Sequence, residues 1–140
     1  NENVLELLSK SDNLHKWGLY ERKPIKKLVK GNLLLMGDAA HPMLPFLAQG
    51  SCLAIEDAYS FSELLKKNRD LKKSLYNYQK LRLKRGNKIQ FRSRIQGYTN
   101  HLSNGFLIFL RNLFLKIFGK SLQTSIHKYN AINEIRHLPN

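Results

Sequence analysis

Apolar and polar positions along this chain fall into a strand-like run followed by three helix-like stretches. The strand-like run, Leu33-Leu34-Leu35-Met36, is bounded by Gly31 and Gly37. That is the length and boundary of a strand buried on both faces, although a run this short also fits a helical fragment. From about Ser51, the residues Ala54, Ala58, Phe61 and Leu65 recur at spacings of four, three and four, which predicts a helix with that face inward. Its end falls in Lys66-Lys67-Asn68-Arg69-Asp70, where cations suit the negative end of a helix dipole. Leu71 to about Asn100 lacks proline and predicts one long helix, with Leu75, Tyr78, Leu81, Arg85 and Ile89 near one stripe and Gly86 and Gly97 as weak points. Asn104-Gly105 predicts a turn. Phe106 to Phe118 is then apolar almost all round and ends at Gly119, a buried or interfacial helix too short to span a bilayer. Upstream, residues 1–14 predict a short helix carrying Val4, Leu5, Leu7 and Leu8 and ended by Ser11-Asp12-Asn13. Trp17 to Tyr20 predicts a strand, and Pro24 to Lys30 a basic connection into Gly31.

The segment between the apolar run and the first long helix carries the chemistry. Ala39-Ala40 keeps side-chain bulk low, while Pro42 and Pro45 fix φ and remove two N–H donors, so the loop is stiff and extended. Gly50 gives freedom to enter the helix and Ser51 is placed to cap it. The first amides of that helix lack intrahelical partners and carry the positive end of its dipole. Asp38 at a strand end can accept from hydroxyls, and amides some twelve residues on suit an anionic oxygen. A polyol joined to a group that gains negative charge fits such a site, and in open α/β folds ligands bind at this kind of position.

Gly37-Asp38-Ala39-Ala40-His41-Pro42, Pro45, Gln49-Gly50 and Glu56-Asp57-Ala58 together resemble the second flavin-binding motif of single-component FAD-dependent aromatic hydroxylases, most nearly the salicylate hydroxylase-like branch. A weaker resemblance runs through Trp17-Gly18-Leu19-Tyr20-Glu21-Arg22 and Tyr78-x-x-x-Arg82-x-x-Arg85. The resemblance implies an α/β fold: the C-terminal part of an FAD/NAD(P)-binding flavoprotein monooxygenase, mostly helical here with one or two strands. It implies residues 1–30 as the tail of a substrate-binding domain, 31–68 as an FAD-binding strand-loop-helix and 69–140 as a C-terminal helical region. It implies that Asp38 binds the ribityl chain of FAD, with Gly37 and Ala39 beside it. Backbone amides of Gln49, Gly50, Ser51 and Cys52 would face the flavin pyrimidine ring, and Pro45 and Phe46 would form part of the substrate wall. Phe46 and Leu47 stand where some branches carry smaller residues or glycine, which bears on substrate identity. The implied activity is hydroxylation of an aromatic, phenolic acid-like ring with NAD(P)H and O2, in a cytoplasmic protein compatible with a homodimer. No catalytic residue is assigned within this chain. Its eight glycines never form G-x-G-x-x-G, so the ADP-binding half of the fold is expected in a missing N-terminal part of the same protein.

Composition adds one complication. The net charge is +14, and between Asp70 and Glu134 there is no acidic residue but thirteen Lys and Arg. A basic helical module binding nucleic acid or an anionic membrane is therefore the alternative from another class, beside a flavoprotein of the same superfamily with a non-aromatic substrate. A solvated lysine-rich surface outweighs a polyanion partner, because charge alone is a weak signal. One cysteine excludes an internal disulfide and fits a reducing compartment.

The remaining residues have plainer readings. His41 has no acidic or metal-ligand partner in spacing and reads as a loop-ordering residue. Asp38, His41 and Ser51 do not form a hydrolase triad, since no G-x-S-x-G elbow is present. Cys52 reads as a small buried thiol, and Glu56-Asp57 as a pair complementing the helix dipole. Tyr78, Arg82 and Arg85 share a helix face that either packs across the domain or binds phosphate, with packing favoured. No Cys/His metal cluster is expected.

Overall fold

The computed structural model describes residues 2–10 and 15–138. Helix α1 spans Glu2–Ser9, with Val4, Leu5, Leu7 and Leu8 exposed. The expected Ser11-Asp12-Asn13 terminator lies outside the described residues. Trp17 to Tyr20 forms no strand; these residues are exposed and irregular. Leu33 to Met36 is likewise not a strand buried on both faces. Strand β1, Val29–Lys30, pairs antiparallel with β2, Leu33–Leu34, across the Gly31-Asn32 turn, and Leu33 is exposed. Gly31 takes φ +59, the left-handed conformation such a turn needs.

Four helices follow the loop among the described residues. Helix α2 runs Gly50–Lys67 and α3 runs Leu71–Asn100 as one unbroken rod. Asp70, which the sequence places at the end of α2, caps α3 instead, accepting from the Lys72 amide at 2.9 Å. Asn104 caps α4 in the same way, accepting from Phe106 and Leu107. Helix α4 extends over Gly105–His127 and passes through Gly119 rather than ending there. A short helix α5, Ala131–Arg136, brings Ile135 and Leu138 back onto the core beside Leu28, Ala40, Leu64 and Tyr78.

The inward face of α2 is rotated from the expected one. Leu53, Asp57, Ser60 and Leu64 are buried, whereas Ala58 and Leu65 are exposed. Two of those four buried residues are polar, so the hydrophobic pattern points one residue away from the real seam.

Helix α3 is the backing on which the loop lies, and it holds main chain with polar side chains. Gln79 accepts from the Leu28 and Val29 amides at 2.9 and 3.0 Å, anchoring β1. Gln90 donates to the carbonyls of Arg22 and Pro42 at 2.6 and 2.7 Å, and Ser93 donates to that of Leu44. Asn87 donates to the Ile25 carbonyl at 3.2 Å. Extended loop carbonyls have no ladder partners of their own, so a buried loop needs such donors.

Gly86 and Gly97 are close-approach positions. A Cβ on Gly86 would lie 2.5 Å from His41 Nδ1, and one on Gly97 2.5 Å from the Phe46 ring. Alanine in a helix interior normally stabilises by about 0.5–1 kcal/mol over glycine. Here the sign is expected to reverse: Gly86→Ala and Gly97→Ala should destabilise by about 1–3 kcal/mol through overpacking. Gly119→Ala, with nothing within 4 Å of its Cβ position, should show the ordinary gain. Urea denaturation of the three variants checks this, and a gain at all three positions would refute the close-packing account.

Candidate functional site

The loop between β2 and α2 is not extended throughout, as its two prolines suggested, but holds two short 3-10 turns, Gly37–Ala39 and Pro45–Leu47; Pro45 opens the second, where its fixed φ suits a first helical position. Gly37 opens the first at φ +54, buried, with its carbonyl accepting from the Ala40 and His41 amides at 3.0 and 2.9 Å. Arg22 reaches over to donate to the Ala39 and Ala40 carbonyls. Ala48 closes the second turn at φ 50, and Gln49 leads into α2.

Asp38 sits on the exposed side of the first turn and forms no hydrogen bond or ion pair with any described residue. One carboxylate oxygen lies 3.9 Å from the position a Cβ would take on Gly50, which places it beside the N-terminal end of α2. The first helical bond there is Leu53 N–H to the Gln49 carbonyl at 2.9 Å. The amides of Gly50, Ser51 and Cys52 consequently have no partner among the described residues. Ser51 does not cap the helix; the N-cap is Gln49, whose side chain makes no capping bond. Cys52 is exposed rather than buried. A free carboxylate and a row of free amides thus share one surface, with buried Gly37 and exposed Ala39 on either side of Asp38.

Phe46 turns the other way, toward α3. Its ring meets His101 edge-on at 5.6 Å and fills the space left by Gly97. A cavity of about 400 Å³ opens beside it, lined by Leu44, Phe46, Tyr98 and His101 with the ion-paired Glu21 and Arg94 at its edge. Pro45 is exposed at the turn.

Beneath the loop lies a cluster that sequence patterning did not assemble. Asp57, fully buried on α2, accepts from the Gly37 amide at 2.9 Å and from Arg82 Nε at 2.6 Å. His41 Nε2 stands 2.8 Å from the same carboxylate, a close approach without hydrogen-bond alignment. Arg82, also fully buried, donates from Nη1 to Tyr129 Oη at 3.1 Å and pairs with Glu56 at 2.9 Å. Arg85 grips Glu56 through Nε and Nη2 at 3.2 and 2.9 Å, and its guanidinium lies 4.3 Å from the Tyr129 ring centre.

Glu56 and Asp57 therefore do not simply complement a dipole; both converge on Arg82. Tyr78, Arg82 and Arg85 pack, as expected, and His41 orders the loop. The available signal was the acidic pair on one predicted helix facing the Arg-x-x-Arg-Gly run on the next. The same contacts qualify the basic half of the chain: Arg82, Arg85 and Arg94 are spent on internal carboxylates, and Arg111 on the Thr99 carbonyl.

Burial alone would push the Asp57 carboxyl up. His41, Arg82 and the Gly37 amide together outweigh it and hold the group below the usual carboxylate value. Burial, reinforced by the Asp57 charge, drives the Tyr78 hydroxyl well above its ordinary range, so it stays a donor to the Leu35 carbonyl at 3.3 Å. Among the described residues no group of His, Cys, Asp and Glu could hold a metal ion, and no helix is long and apolar enough to cross a membrane.

The sequence profile of the FAD binding domain family matches residues 4–93. The chain is 40% identical over 106 residues to a 3-amino-4-hydroxybenzoate 2-monooxygenase of Streptomyces platensis, covering 75% of this chain and 27% of that protein. It is 35% identical over 106 residues to 3-hydroxybenzoate 6-hydroxylase 1 of Aquipseudomonas alcaligenes, covering 76% and 27%. A salicylate hydroxylase substrate complex superposes with TM-score 0.75 and 31% identity over 96% of this chain and 34% of that one. Klebsiella pneumoniae HpxO complexed with FAD and uric acid gives TM-score 0.58 at 24% identity over 81% and 26%, a likeness of fold alone. The chain thus spans about a quarter of the length of its curated relatives.

Removing one partner of the Asp57–Arg82 pair leaves a buried charge uncompensated, so Arg82→Ala should cost about 3–5 kcal/mol. The Asp57 pKa is depressed, so the pair's contribution is complete above the ordinary value of 3.8 and lost as pH falls below it. Denaturation between pH 2 and 7 should show a steeper acid loss for the unaltered protein than for Arg82→Ala. Parallel acid limbs would show that this pair does not govern acid stability.

Proposed function

Since the chain belongs to the FAD binding domain family, we propose that Gly37 to Cys52 forms one wall of the flavin site of a monooxygenase that hydroxylates a phenolic acid-like aromatic ring with NAD(P)H and O2. The observation that carries this is the unpartnered Asp38 carboxylate held beside the free amides of Gly50, Ser51 and Cys52. The donor set fits FAD: the carboxylate would accept from ribityl hydroxyls, and the free amides of the helix end would favour negative charge on the bound group. Gly37 and Ala39 keep the floor low, and the missing Cβ at Gly50 leaves the gap between carboxylate and helix open.

When bound, the flavin supplies hydride acceptance and oxygen activation. What this chain contributes is position and field. Asp38 fixes the cofactor along the loop, and the α2 amides favour negative charge at the ring edge they face. Exposed Pro45 and half-buried Phe46 bound the substrate side, where the aromatic-lined cavity falls in the size range of small-molecule sites. The names of the relatives, aminohydroxybenzoate and hydroxybenzoate hydroxylases, support an aromatic acid as the substrate class. In this assignment residues 31–68 carry the flavin contacts, 69–140 support them, and 1–30 return from a substrate-binding domain. The ADP half of the cofactor belongs to a part of the protein N-terminal to this chain. The assignment extends to a cytoplasmic enzyme, and the exposed apolar residues of α4 give a homodimer a surface to use.

Titration of the full-length apoprotein with FAD, followed by flavin fluorescence, tests the assignment. Asp38→Ala removes a charge-assisted acceptor worth about 1.5–3 kcal/mol and should weaken binding accordingly. Asp38→Asn keeps an accepting oxygen and should lose less. Unchanged affinity in both variants would overturn the assignment.

A further inference from the structure

Asp38 has nothing of its own to hold it. Its side chain is exposed and without a partner among the described residues, so its direction is set entirely by the backbone on either side. That backbone is tied at both ends of the turn. The Gly37 amide donates to Asp57, the Gly37 carbonyl takes the Ala40 and His41 amides, and the His41 ring rests against the same Asp57 carboxylate. The φ of +54 at Gly37 is one of many conformations open to a glycine, so the residue does not fix itself and a specific restraint is needed there.

Asp57 can serve as that restraint because it is itself immobile. Arg82 Nε holds its other oxygen at 2.6 Å, and Arg82 in turn is pinned by Glu56, the Leu53 carbonyl and Tyr129. The His41 seat exists only because residue 86 lacks a Cβ. From this geometry we infer that Asp57 is the positioning residue of the flavin wall: by clamping Gly37 and bracing His41, on either side of Asp38, it aims the Asp38 carboxylate at the cofactor. The inference rests on the flavin role proposed above for Asp38, and it assigns Asp57 no contact with FAD.

A double-mutant cycle in the full-length protein tests it, with FAD affinity and the visible circular dichroism of bound FAD as readouts. Asp57→Asn turns one accepting oxygen into a donor facing the Gly37 amide. It should weaken FAD binding roughly tenfold and alter the flavin dichroism. Because Asp57 acts through Asp38, Asp57→Asn should add little in an Asp38→Ala background. A full additive loss in the double variant would mean that Asp57 only stabilises the fold, and it would overturn the inference. So would an Asp57→Asn protein with unchanged affinity and dichroism. If Asp57→Asn does not fold, Gly86→Ala replaces it: its Cβ displaces the His41 ring without touching either carboxylate, and the same lack of additivity is expected. An Asp38→Ala protein of unchanged affinity would instead refute the flavin role of Asp38, a failure visible in that single variant alone.

Discussion

A carboxylate fully removed from water survives only where donors replace its hydration, and Asp57 is such a case. Its donors come from two places that the chain must bring together: the amide of Gly37, at the start of the loop, and the guanidinium of Arg82, in the middle of α3. The loop, α2 and α3 therefore meet at one point. A well-packed apolar cluster could match such a buried pair in stability. What the ionic arrangement adds is direction, because a carboxylate with two occupied oxygens fixes the angle at which the loop leaves β2.

The rest of the loop is held on the same plan. Proline-containing extended segments present carbonyls with no strand or helix to satisfy them. Gln90 and Ser93 take these up, while Gly86 and Gly97 let His41 and Phe46 settle against the helix axis. One side of the loop is consequently spent on α3. The other side, with Asp38 and the open end of α2, is left without protein partners among the described residues. A carboxylate beside free amides, both open to solvent, is a surface that a ligand with hydroxyls and an anionic oxygen can use.

Helix α4 shows a different kind of incompleteness. Phe106, Leu107, Phe109, Leu110, Phe114 and Ile117 are all exposed, more apolar surface on one helix than singly scattered residues leave. Its hydrogen bonds to α3 run from Arg111 to the Thr99 carbonyl, from Arg92 to the Ser125 hydroxyl and from Arg85 to the Ile126 carbonyl. The basic excess of this half divides likewise. Arginines close to α2 are neutralised internally, and the lysines remain in solvent.

What the sequence determined by itself was whatever depends on neighbours a few residues apart. The loop and helix start from Gly37 to Ala58, the length of α3 and the end of α2 near Lys67 are of this kind, because proline, glycine and short-range spacing act locally. Where local cues pointed wrongly, a distant contact or its absence had prevailed. The buried face of α2 differs from the expected one because Asp57 and Ser60, not alanines, occupy the seam, and the burial of Asp57 makes sense only with Arg82 and Gly37 in place. Trp17 to Tyr20 has strand-like residues but no neighbouring strand to pair with, so it stays irregular. Gly119 could not stop α4, since a glycine costs about 1 kcal/mol and good helix formers follow it. The convergence of Asp57, His41, Arg82, Gly86 and Tyr129 joins stretches of chain up to 88 positions apart. No periodicity encodes separations of that length; they become contacts only when α3 folds back along α2 and closes on the loop.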